Sequence, residues 1–227
     1  MGVAMSPRGV CCQSVLLGLA LSLLLASCFT PEPIPTLVSE TVAPPLVLGD
    51  LPLSGSEPAY EPGLWNDADG QCVWPDASLV ECSTNCYAYA LDDRSPLPHG
   101  TTLQPGQMSG YQMTTADVSV NRIIELARAD AEASGRLFED VARDEACPAG
   151  TYKIALVVDP EYPDYHWYRQ NPNGTWSGKS GLTPVTDVDA SGQVIWDPAA
   201  ADRNYIPRGW DLNYTDFGGY FCVGSAP

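Results

Sequence analysis

The chain has 227 residues, of which 11 are lysine or arginine and 28 are aspartate or glutamate, giving a net charge of −17. This excess of negative charge repels phosphate backbones and excludes nucleic acid as an expected partner. It also provides no attraction to anionic lipid, so binding to a membrane would require a lipid anchor.

The first residues predict an export signal. Arg8 precedes the apolar run VLLGLALSLLLA, which is too short to span a bilayer, and small residues follow it. The run ends in LASC, at Leu25 to Cys28, which resembles a bacterial lipobox. The resemblance implies a signal peptide over residues 1–27, lipid on Cys28, and a location at the bacterial outer membrane or cell surface. An ordinary secretory signal is the alternative.

The segment that follows predicts a tether and then one domain. Residues 28–60 are rich in proline, contain no lysine or arginine and show no helical or strand period. Such a stretch is typical of a semi-extended spacer that begins at the lipidated Cys28. Residues 61–227 are long enough to form a single domain with its own core.

Five cysteines lie in this domain, an odd number for an oxidising compartment: Cys72, Cys82, Cys86, Cys147 and Cys222. Two disulfides would leave one thiol free. Cys86 is the favoured free cysteine, because the preceding residues 83–85 are good helix N-caps and would place it in a first helical turn, where a thiolate is stabilised. The disulfides would then use the other four. Pairing of Cys86 with Cys82 or Cys147 is the alternative.

Further along the chain the pattern predicts a helix and then strands. Apolar residues at helical spacing indicate a helix that ends at Gly135. TYKIALVVD and YHWYRQ read as antiparallel strands, and NPNG predicts a turn into a third strand, TWSGK. QVIW, at residues 193–196, indicates a further strand.

NCYAYA followed by YHWYRQNPNGTWSGK resembles the papain-like cysteine hydrolases, in particular the NlpC/P60 and CHAP branches, and a group of uncharacterised bacterial proteins. The resemblance implies an α+β fold in which a helix bearing Cys86 is followed by an antiparallel sheet, stabilised by disulfides. It also implies that Cys86 is the nucleophile and His166 the base. The alternative is that His166 is a structural strand histidine.

Gly178 departs from the bacterial pattern, which has a histidine at this position. The predicted hairpin places Tyr168 opposite Gly178, on the same face as His166, where an orienting group would be needed. Glycine cannot provide that group. Either a water, Ser180 or an aspartate from elsewhere in the chain orients His166, or the site is weakened or inactive, because losing the orienting residue usually cripples such sites.

Two functions follow. The first is an envelope-anchored lipoprotein with a cysteine peptidase or amidase domain that cleaves amide bonds in peptidoglycan peptides or surface proteins. The second is an inactive, lipid-anchored binding or structural module. No cofactor is expected. Asp187 and Asp189 match half of a calcium loop, but Pro198 stands where that loop needs glutamate, so a plain hairpin is favoured and no metal is expected.

Overall fold

The computed structural model describes residues 52–95 and 101–225. These residues belong to one compact unit. Within the described ranges, none of the helices is long and apolar enough to cross a membrane.

A six-stranded, wholly antiparallel sheet forms the centre of the fold, with strand order β1-β6-β2-β3-β4-β5. The strands are β1 Arg136–Val141, β2 Thr151–Asp159, β3 Asp164–Gln170, β4 Trp176–Lys179, β5 Val185–Thr186 and β6 Asp216–Ser225. The predicted pairing of β2 with β3 is confirmed, as is the hairpin from β3 into β4. At its turn Gly174 takes a φ of 81°, and its N–H donates to the carbonyl of Asn171. QVIW contributes only an isolated bridge, between Val188 and Val194.

The helices are α1 Val80–Ser83, α2 Cys86–Ala90 and α3 Val120–Ser134. The helix predicted to end at Gly135 is therefore confirmed, and Gly135 closes it with a left-handed φ of 67°. The apolar face of α3 buries Ile123, Ala127 and Ala131 against the sheet.

Two hydrophobic clusters cover opposite faces of the sheet. On the helix side, α2 and α3 pack over alternate residues of the central strands, among them Leu156 and Trp167. On the other side, residues from the long connection 187–215 pack over the intervening positions, such as Val157 and Tyr168. Alternation along β2 and β3 therefore decides which core each side chain enters.

Residues upstream of the predicted domain start at residue 61 also contact the sheet. The Ser54 hydroxyl donates to the carbonyl of Thr151 (2.6 Å), and the Gly150 N–H donates to the Ser56 hydroxyl (2.9 Å). The carbonyl of Ala59 accepts from the Arg169 guanidinium. The end of the proline-rich segment is thus packed against the domain.

The papain-like α+β prediction is wrong. The described part of the chain is mainly antiparallel sheet, and α3 is its only helix longer than two turns. The helix that bears Cys86 has five residues, because Asn85 caps it on one side and the chain turns at Leu91 on the other. The predicted disulfide stabilisation is confirmed by two bonds, Cys72–Cys82 and Cys147–Cys222.

Candidate functional site

Cys86 is the only described cysteine outside a disulfide. It is the first residue of α2, as predicted, and Asn85 is the N-cap. The Asn85 side-chain oxygen accepts from the Ala88 N–H (3.1 Å), while its amide group donates to the carbonyl of Leu103 (2.7 Å). These two bonds fix the start of the helix and hold the thiol against the sheet.

The Cys86 thiol lies in an apolar setting, with 5% of its surface exposed. It contacts the carbonyl oxygen of Tyr165, with Sγ at 3.8 Å. Burial raises the pKa of Cys86 to about 12, because a thiolate would be desolvated there. The thiol is therefore protonated at neutral pH, and the short helix α2 does not activate it.

His166 lies on β3, paired with Val157 of β2. Its ring packs edge-on against Tyr168, with centroids 4.6 Å apart, and lies 6.0 Å from the Tyr214 ring. Only 4% of the residue is exposed, and burial lowers its pKa to about 4. The imidazole is thus neutral at physiological pH, and its side chain forms no hydrogen bond with any described residue.

Gly178 faces Tyr168 across the hairpin, in the register that the sequence predicted. A Cβ atom at this position would lie 2.4 Å from Nε2 of His166. The glycine therefore makes room for the imidazole, and a side chain here would push His166 out of its place.

Cys86 and His166 belong to opposite faces of β3. Cys86 packs in the helix-side cluster with Tyr165 and Trp167, whereas His166 packs on the other side with Tyr168 and Tyr214. Both residues nevertheless line one cavity of about 610 Å³. A neutral thiol and a neutral imidazole do not form the ion pair that a thiolate nucleophile requires.

The cavity also has walls that the sequence analysis missed. Asp164 and Gln104 line it beside Tyr165, and the connection before β6 contributes Arg208, Trp210 and Tyr214. Residues 199–215 of this connection match no motif and show no regular period, so their approach to His166 is a long-range effect. The one feature of the sequence that could have indicated these walls is the aromatic content of a segment that otherwise has the composition of a loop.

Asp189 has a structural role. Its carboxylate accepts from the N–H groups of Ser191 (2.9 Å), Gln193 (3.0 Å) and Asp202 (3.0 Å), which closes the predicted hairpin through DASG. Among the residues the structure describes, no cluster of three or more metal-ligating side chains occurs. Cys28 and the signal peptide lie outside the described residues.

The buried imidazole predicts an acid-sensitive fold. Unfolding returns the pKa of His166 from about 4 to its ordinary 6.5, so between these values the unfolded chain binds a proton that the folded chain does not. The free energy of unfolding is therefore expected to fall as pH drops through this window, by ~3 kcal/mol. Urea titrations at pH 7 and pH 4 measure this loss. The loss should be largely absent from a His166→Gln variant, and equal losses in the two proteins would contradict the assignment.

Comparison with known proteins gives one informative relative. Insoluble matrix shell protein 1 of Ruditapes philippinarum is 35% identical over 171 residues, which cover 73% of this chain and 89% of the relative. The chain belongs to the family of this shell matrix protein. No protein-family model and no solved structure matches the chain.

The shell matrix relationship corrects the earlier interpretation. The relative is a molluscan matrix protein, so the resemblance to bacterial papain-like hydrolases with a lipoprotein signal is wrong as a family assignment. Membership of this family and the two disulfides indicate a secreted protein. The export predicted from the sequence is therefore confirmed.

Proposed function

We propose that the chain is a secreted, non-catalytic structural module of an insoluble extracellular matrix. The observation that carries the proposal is the 35% identity to insoluble matrix shell protein 1 along 89% of that relative. A shared fold over nearly the whole relative makes a shared structural role more economical than a separate catalytic one.

The geometry of the cavity supports the same conclusion. Cys86 and His166 are both uncharged, both almost fully buried, and placed on opposite faces of β3. Gly178 leaves no group to orient the imidazole. The two disulfides, one of which joins residues 75 positions apart, suit a protein that must persist outside the cell.

Extraction of the native protein tests the proposal. Tissue or culture material is extracted in turn with buffer, with detergent, and with denaturant plus reductant, and the chain is followed by antibody against the domain. We expect the chain to be found outside cells and to be released mainly by denaturant plus reductant. Recovery in the first extract would contradict a matrix role. Recovery in the detergent extract would indicate attachment to a membrane and would likewise contradict a matrix role.

A matched variant separates structure from catalysis. Cys86→Ala removes the thiol but keeps the small apolar volume at the start of α2. We expect it to be retained in the insoluble fraction as fully as the natural chain. Loss of retention without loss of folding would show that the thiol has a role beyond packing.

A further inference from the structure

The cavity beside His166 has the features of a ligand site. Its volume of about 610 Å³ lies within the roughly 300–1,000 Å³ typical of small-molecule sites. We infer that it binds a neutral oligosaccharide. This inference rests on the proposed function, to which it adds the class of matrix molecule that the chain holds.

His166 supplies the first argument. Only 4% of the residue is exposed, and it lines the cavity. Its side chain forms no hydrogen bond with the described residues. Leaving a buried imidazole without a partner costs free energy. In a neutral imidazole one nitrogen donates and the other accepts. A hydroxyl group can pair with either nitrogen, because it both donates and accepts.

Asp164 adds an acceptor next to His166. Its carboxylate accepts from the Tyr214 hydroxyl (2.9 Å) and from the Tyr165 N–H (2.8 Å), which holds it in place at the cavity wall. A carboxylate has about four acceptor positions, so capacity remains for hydroxyl donors of a ligand. Thr102 and Thr183 bring further hydroxyl groups to the lining.

Trp210 supplies the apolar part of the site. It lines the cavity and is 55% exposed, an unusual position for the largest apolar side chain. The flat face of an indole is suited to the C–H face of a sugar ring, and a tryptophan can contribute a large contact area at low entropic cost. Tyr205 and Leu212 continue this apolar surface within the cavity.

The charges and the sheet edges argue against other ligands. The net charge of −17 and the two carboxylates in the cavity wall, Asp164 and Asp189, disfavour an anion, although Arg208 also lines the cavity. Extended peptides usually add a strand to an exposed sheet edge, but β5, the edge strand nearest β4, has only two residues. A neutral sugar ring can donate and accept hydrogen bonds at the polar wall formed by His166 and Asp164, and can pack its C–H face against Trp210.

Titration of the full chain tests the inference. Cellotriose, maltotriose and triacetylchitotriose are each added while calorimetry and tryptophan fluorescence are recorded. We expect saturable binding of at least one trisaccharide, weakened about tenfold or more by Trp210→Ala. Trp74→Ala is the matched control, because Trp74 is 78% exposed but does not line the cavity, and it should leave the affinity unchanged. His166→Gln, checked for folding by circular dichroism, should also weaken binding.

Three results would overturn the inference: no trisaccharide binds, Trp210→Ala and Trp74→Ala bind equally well, or trialanine binds where the sugars do not. A chain that stays in the insoluble matrix but binds no sugar would overturn this inference alone. A chain that binds a sugar but is extracted by plain buffer would instead overturn the proposed function.

Discussion

Replacing both Cys147 and Cys222 by alanine is expected to lower the free energy of unfolding by about 4.5 kcal/mol. This disulfide closes a segment with a sequence separation of 75, and the loss of loop entropy in the unfolded chain grows with the length of the closed loop. The bond also attaches the connection after β1 to β6, which pairs with both β1 and β2. Urea denaturation of the full chain measures the loss.

The second disulfide provides the matched control. Cys72 and Cys82 are separated by only 10 positions, so the same change there is expected to cost about 2.7 kcal/mol. The two double variants lose the same number of sulfur atoms and differ chiefly in loop length. If the short-loop variant were the less stable of the two, loop entropy would not be what the long disulfide contributes.

Substitution of Arg169 by methionine is expected to lower the free energy of unfolding by ~3–5 kcal/mol, because it removes a buried cation and leaves its hydrogen-bond partners in place. The side chain of Arg169 is fully buried on β3. Its guanidinium donates to the carbonyls of Tyr89 (3.1 Å) and Ala59 (3.3 Å), and pairs with Asp92 (2.8 Å). It also lies 4.1 Å from the centroid of the Tyr89 ring. Methionine fills most of the volume but removes the guanidinium donors from both carbonyls, and of the two only Tyr89 keeps another described donor, the N–H of Asp92 (3.1 Å).

Arg128→Met is the control for Arg169. Arg128 pairs with Asp140, and these side chains are 42% and 71% exposed, so the pair is expected to contribute about 1 kcal/mol or less. Both variants are compared by urea denaturation at one pH. Losses of similar size would mean that the buried hydrogen bonds of Arg169 are not a main support of the fold.

Local signals in the sequence were sufficient for the centre of the sheet. The turn at Gly174 needs a left-handed residue and fixes the register that places Tyr168 opposite Gly178. The cap at Asn85 and the stop at Gly135 are equally local, because each depends on the conformation of one residue. These features were predictable because no distant part of the chain has to be known.

The candidate site depended on long-range packing and was not predictable in the same way. Cys86 and His166 are 80 positions apart. The sequence did not indicate that α2 would pack against the face of β3 opposite to the one that carries His166. Arg169 looks like a solvent-facing strand residue, yet backbone carbonyls from distant segments bury it. Trp210 lies in a connection without a regular pattern, so the cavity it lines could not be expected.

We propose that Cys86 is a buried, unactivated thiol and not a nucleophile. Native alkylation of the full chain with iodoacetamide across pH 6 to 10 tests this most directly, with the labelled cysteine located by peptide mass spectrometry. We expect no labelling of Cys86 until the chain is unfolded, and the same result in His166→Gln, because burial raises the pKa of Cys86 to about 12. Rapid labelling of Cys86 alone near neutral pH, abolished by His166→Gln, would contradict the claim.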